Sequence, residues 1–106
     1  MENELRNNFY GAMGKIVKFY EKHNSIKILT KKQIIKEAYL WRGLFDMELY
    51  VATEMDYYKD IKRILKDINY LFNTPIKTVA DIVDKGQIIM EINESIKGFE
   101  FMYYSL

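Results

Sequence analysis

Four basic side chains fall on one side of a segment with strong helical periodicity. Lys59, Lys62, Arg63 and Lys66 are spaced three, four and seven positions apart, and Tyr70 follows one turn later on the same side. A basic helical face that carries an exposed aromatic ring offers phosphate contacts and a surface for base stacking. The spacing therefore favours an ordinary solvated helix face, and the alternative interpretation is a nucleic-acid-binding face.

A second segment, residues 38–52, is apolar or aromatic over most of its length. A helix that is apolar nearly all round either lies at the centre of a bundle or buries its second face against another chain. A small domain has few elements with which to surround such a helix, so the segment predicts a partner interface, with the core as the alternative. The residues predicted for this interface are Leu40, Trp41, Arg42, Leu44, Met47, Tyr50 and Val51.

Residue types that support catalysis are scarce. The chain has no cysteine, its three serines lie outside any G-x-S-x-G motif, and His23 is the single histidine. His23 falls near a predicted helix end, so we expect it at the surface or in a capping role. The sequence predicts no catalytic residue, no metal site, no cofactor and no small-molecule substrate.

The charge balance narrows the function classes further. The 106 residues include 16 Lys and Arg against 15 Asp and Glu, which excludes the strongly basic nucleic-acid coat proteins and the acidic disordered tails. The charges nevertheless alternate in blocks, basic over 1–43 and 59–77 and acidic over 44–58 and 78–106. No segment resembles a signal peptide or a membrane span, and the cysteine-free chain predicts a cytoplasmic protein.

Helical periodicity dominates the chain. It predicts helices over 2–23, from Thr30 onward, over 56–72 and from Thr78 onward, with Gly86 as a point that divides the last one. The apolar stripe predicted for the last helix contains Ile82, Ile89, Ile92 and Ile96. The predicted fold is therefore a single all-α domain over 1–106 with four to five helices. The alternative is an α+β domain in which residues 25–29 pair with residues 99–104.

These patterns favour a small non-catalytic interaction protein that binds a protein partner. A small interaction protein of this kind fits a regulator or inhibitor that is encoded by a phage or mobile element and directed at a host or defence protein. Self-association into a homodimer is compatible with the same apolar surplus. The alternative is a nucleic-acid-binding regulator that uses the basic face.

Overall fold

The computed structural model describes residues 2–41, 46–75 and 77–104, with side chains from residue 11 onward and without that of Trp41. Four helices occupy this part of the chain: α1 (Glu2–His23), α2 (Lys31–Trp41), α3 (Met47–Asn73) and α4 (Val79–Tyr103). The predicted all-α fold is confirmed. The α+β alternative is wrong, because residues 25–30 have no regular secondary structure and residues 99–103 belong to α4.

Two of the helices begin with capping boxes, at the threonines from which the sequence predicts helices. The Thr30 hydroxyl accepts from the Gln33 amide at 3.3 Å, and the Gln33 side-chain oxygen accepts from the Thr30 amide at 2.8 Å. Thr78 and Asp81 make the same reciprocal pair at the start of α4, at 3.2 and 3.0 Å. These bonds satisfy amide groups that the first turn of a helix otherwise leaves without a partner.

The main core lies between α1, α3 and α4. Helix α4 is antiparallel to α3, since Tyr57 contacts Tyr103 while Arg63 shares a cleft with Ser95. It is parallel to α1, because Phe19 contacts Phe99 at the end where both helices finish. The buried side chains of this core are Ile16, Phe19, Ile61, Ile64, Ile68, Leu71, Ile89, Ile92, Ile96 and Phe99.

Helix α2 lies outside this core. Among the described residues it contacts only α3, where it buries Ile34 and Ala38 while α3 buries Val51. We call α2 together with residues 47–58 of α3 the hairpin arm. The radius of gyration is 17.5 Å, against about 13 Å for a compact domain of this length. The molecule is therefore elongated, and a two-helix arm extends from a three-helix core.

Three details of the predicted helices are wrong. Helix α3 begins at Met47 rather than near residue 56, so the apolar segment 38–52 spans the end of one helix and the start of the next. Helix α4 continues through Gly86 without a break. Ile82 is 57% exposed instead of buried, because the core side of α4 is formed by Ile89, Ile92, Ile96 and Phe99.

Candidate interaction site

The hairpin arm carries an apolar groove between its two helices. Its volume is about 360 Å³. We call it the arm groove; its lining residues are Lys31, Ile35, Met47, Glu48, Val51, Ala52 and Met55. Met55 remains 42% exposed, since two helices packed side by side bury only the sides that face each other. The arm therefore presents apolar surface that the rest of the described chain leaves uncovered.

The predicted interface residues separate into different environments within the arm. Leu40 is 70% exposed and Met47 is half-buried in the groove, whereas Val51 is only 7% exposed and packs inside the arm. Tyr50 is half-buried. The side chain of Trp41 and the residues Arg42 and Leu44 lie outside the described part of the chain.

Sequence reasoning missed Ile35, Ala52 and Met55 as neighbours of Met47 in this groove. The pairing could not be read from one helical wheel, because these residues come from two helices that meet only after the chain turns back.

The basic face comprises Lys59, Lys62, Arg63 and Lys66, and the structure places all four on one exposed side of α3. Together with Asp56 and Asp60 they line a cleft of about 600 Å³ whose other wall is Met102 and Tyr103 of α4. Tyr70 is 61% exposed on the same side of α3. The spacing argument therefore groups these residues correctly, and the structure adds the α4 wall.

One ion pair touches this cleft. Arg63 lies 3.7 Å from Asp60, and Asp60 also accepts a hydrogen bond of 3.0 Å from the Tyr103 hydroxyl. Burial and this bond to Asp60 raise the pKa of Tyr103 to about 12. Lys59, Lys62 and Lys66 have no carboxylate within ion-pairing distance in the described structure. These three cations remain available to an outside ligand.

A third exposed apolar surface lies on the first half of α4. Val79, Ile82, Val83 and Met90 share one side of that helix, and each is more than half exposed. We call this set the α4 stripe. It was missed because α4 is apolar on two sides, and the sequence does not say which side reaches the core.

His23 lies in an aromatic cluster. The expectation that its side chain lies at the surface is therefore wrong. It is 2% exposed, and its Nδ1–H donates to the Phe19 carbonyl oxygen at 3.0 Å. Its ring contacts Phe99, and Tyr104 closes the cluster from the end of α4. Burial lowers the pKa of His23, and the neighbouring Lys22 adds to that effect. The ring therefore contacts the ends of both α1 and α4.

Groups suited to metal binding or membrane insertion are not found in the described ranges. No group of three or more histidine, aspartate or glutamate side chains there is placed to hold a metal ion. None of the described helices combines the length and the apolar character needed to cross a bilayer.

The chain was compared with protein-family models, with curated proteins and with solved structures, and none of them matches it.

Proposed function

We propose that this chain is a small, non-catalytic interaction protein of the cytoplasm that binds a protein partner through its hairpin arm. It acts as a regulator or inhibitor of the partner, in the manner of proteins that phages and mobile elements direct at host or defence proteins. One observation carries this proposal: α2 packs only against α3 within the described chain and leaves the arm groove open.

The groove has the composition expected of an interface centre. Methionine is enriched at such centres because its flexible thioether adapts to the surface it meets, and Met47 and Met55 both line the groove. Tyr39, which is 56% exposed, adds an aromatic ring on the exposed side of α2. Covering apolar surface of this kind gives roughly 25 cal/mol per Å² removed from water.

Affinity capture from cells of the source organism tests the proposal. The wild-type chain is compared with Ala52→Arg, which places a charged side chain in the groove at an exposed position. We expect one partner to be enriched by the wild type and lost with Ala52→Arg. Val83→Glu, a matched apolar-to-charged change at an exposed position of the α4 stripe, is expected to retain that partner.

The proposal fails if Ala52→Arg captures the same proteins as the wild type. It fails equally if only Val83→Glu loses the partner, since the interface would then be the α4 stripe. Circular dichroism and the unfolding midpoint of each variant establish that both chains are folded before capture.

A nucleic-acid-binding regulator is the second candidate function. It is favoured by the exposed lysines of the basic face, which have no ion-pair partner in the described structure, and by Tyr70 beside them. It predicts binding of a short duplex or single strand that weakens steeply with salt and is lost in the double variant Lys62→Glu and Arg63→Glu. This candidate is rejected if the double variant binds nucleic acid as well as the wild type does, or if the wild type shows no salt-sensitive binding of nucleic acid.

A further inference from the structure

Because α3 is one continuous helix, one exposed side of it carries residues of the arm groove followed by residues of the basic face. The residues on this side are spaced three or four apart, which keeps them in line along a helix. They are Glu48, Ala52, Met55, Lys59, Lys62, Lys66 and Tyr70. The line is about 33 Å long at 1.5 Å per residue, so the two surfaces form one strip, which we call the α3 strip.

The α3 strip changes character along its length. Its first half begins at Glu48 and continues with Ala52 and Met55, and Ile35 of α2 lines the same groove. Its second half carries Lys59, Lys62 and Lys66 without carboxylate partners in the described structure. Met55 and Lys62 are two helical turns apart, or about 10 Å. A ligand that covers the strip therefore needs apolar groups at one end and negative charge about two turns away.

We infer that the α3 strip is a docking site for an acidic amphipathic helix of a partner protein. A helix of about 20 residues matches the length of the strip, and it can present two or three apolar side chains to the groove while its carboxylates face the lysines. This inference rests on the proposed function and names the chemistry of the partner. Complementary charge sets the direction in which the helix lies and speeds its association.

Nucleic acid fits the α3 strip less well than an acidic helix does. The first half of the strip offers the carboxylate of Glu48 and the apolar side chains of Ala52 and Met55, which make no favourable contact with phosphates. Asp56, Asp60 and Asp67 run beside the lysines along one edge, and they repel a backbone that passes over the whole face. A helix carries its carboxylates on one side only and can avoid that edge.

A displayed peptide library tests the inference on the full-length chain. The library holds helical peptides of about 20 residues that are randomised along one side. We expect the selected peptides to carry Leu, Ile, Met or Phe in one half, with Asp or Glu about two turns away. A synthetic peptide of the selected sequence should lose about tenfold or more in affinity with Ala52→Arg, and likewise with Lys62→Glu combined with Lys66→Glu.

Lys97→Glu is the matched control, because it reverses an exposed charge on α4 away from the α3 strip and should leave affinity unchanged. The inference is overturned if no peptides are selected, if the selected peptides lack the acidic half, or if binding survives the lysine double variant. It is also overturned if a 20-base-pair duplex binds in a manner that Ala52→Arg does not affect. A dimer in sedimentation equilibrium that Ala52→Arg dissociates overturns it too, because the occupant is then a second copy.

These outcomes separate the inference from the proposed function. If capture from cells depends on Ala52 but the library yields no acidic peptide, the arm is an interface and only the chemistry of the partner is wrong. If capture does not depend on Ala52, the proposed function fails whatever the library selects.

Discussion

The Nε2 atom of His23 lies 3.3 Å from the hydroxyl oxygen of Tyr104, which is 81 positions later in the chain. With its proton on Nδ1, the neutral imidazole accepts from Tyr104 at Nε2 while Nδ1–H donates to Phe19. The Tyr104 hydroxyl in turn lies 2.9 Å from that of Tyr57. A single histidine therefore joins the end of α1 to the end of α4, and through Tyr104 to α3.

This relationship predicts that the protein loses stability on mild acidification. The folded pKa of His23 lies below its ordinary 6.5, chiefly through burial, so the unfolded chain binds the proton more readily. The contribution of neutral His23 to the free energy of unfolding is fully present above pH 6.5, and it is lost as the pH falls through the pKa of His23 in the folded chain. Urea unfolding at pH 7.5 and 5.5 should give a smaller free energy of unfolding at the lower pH.

The variant His23→Gln isolates this contribution, since glutamine keeps a donor and an acceptor but does not titrate in that range. We expect His23→Gln to be less stable than the wild type at pH 7.5 and to change less between the two pH values. Lys22 and Glu100 are the charged neighbours of the ring, and they remain in both chains. Equal pH dependence in both proteins would show that His23 does not cause the loss.

The division between core and arm predicts two different outcomes for the same substitution. Ile64 is 1% exposed in the three-helix core and Ile34 is 1% exposed in the arm. Ile64→Ala should lower the free energy of unfolding of the whole molecule by about 2–5 kcal/mol. Ile34→Ala should mainly accelerate hydrogen exchange in α2, because α2 contacts only α3 in the described structure.

Hydrogen exchange followed by mass spectrometry distinguishes these outcomes. After Ile34→Ala, amides of residues 61–71 should keep the protection that they have in the wild type. Uniform loss of protection across α2, α3 and α4 would mean that the arm and the core unfold as one unit, which contradicts the architecture.

Gly86 offers a stabilising substitution in the middle of α4. A methyl group added there meets no atom within 4 Å in the described structure, and alanine is favoured over glycine inside a helix by about 1 kcal/mol. Gly86→Ala should therefore raise the free energy of unfolding by about that amount, measured by urea titration. Ala80→Gly, at an exposed position of the same helix, should change it in the opposite direction. A loss of stability with Gly86→Ala would contradict a continuous helix with open space at this position.

The capping box of α4 predicts a cost for removing one hydroxyl group. Thr78→Ala eliminates the acceptor for the Asp81 amide and should lower the free energy of unfolding by about 1 kcal/mol. Hydrogen bonds from the amides of Lys77 and Thr78 lower the pKa of Asp81. The contribution of Asp81 to the free energy of unfolding is therefore present above the ordinary pKa of an aspartate and is lost as the pH falls through the lowered pKa. Thr53→Ala is the control, because that hydroxyl only bonds back to Leu49 inside α3. Similar effects of the two changes on the urea midpoint would argue against a special role for the cap.

Local features of the sequence were sufficient to predict where α2 and α4 begin and which residues form the basic face. Thr30 and Thr78 begin helices as expected, because a capping box involves residues only three positions apart. Lys59, Lys62 and Lys66 share a side of α3 as expected, because helical geometry fixes that relationship once the helix forms. Neither inference requires knowledge of what the helix packs against.

Only the tertiary structure decided which apolar surfaces are covered. The sequence places apolar residues on two sides of α4, but α1 and α3 reach only the side that contains Ile89 and Ile96, so Ile82 stays exposed. It places His23 at a helix end, but the burial of its ring depends on Phe99 and Tyr104, which arrive from the far end of the chain. It keeps the apolar segment and the basic face apart, whereas α3 carries Ala52 of that segment on the same side as Lys59 and Lys62. Periodicity is a local property, while burial depends on which distant elements arrive and how many sides they can cover.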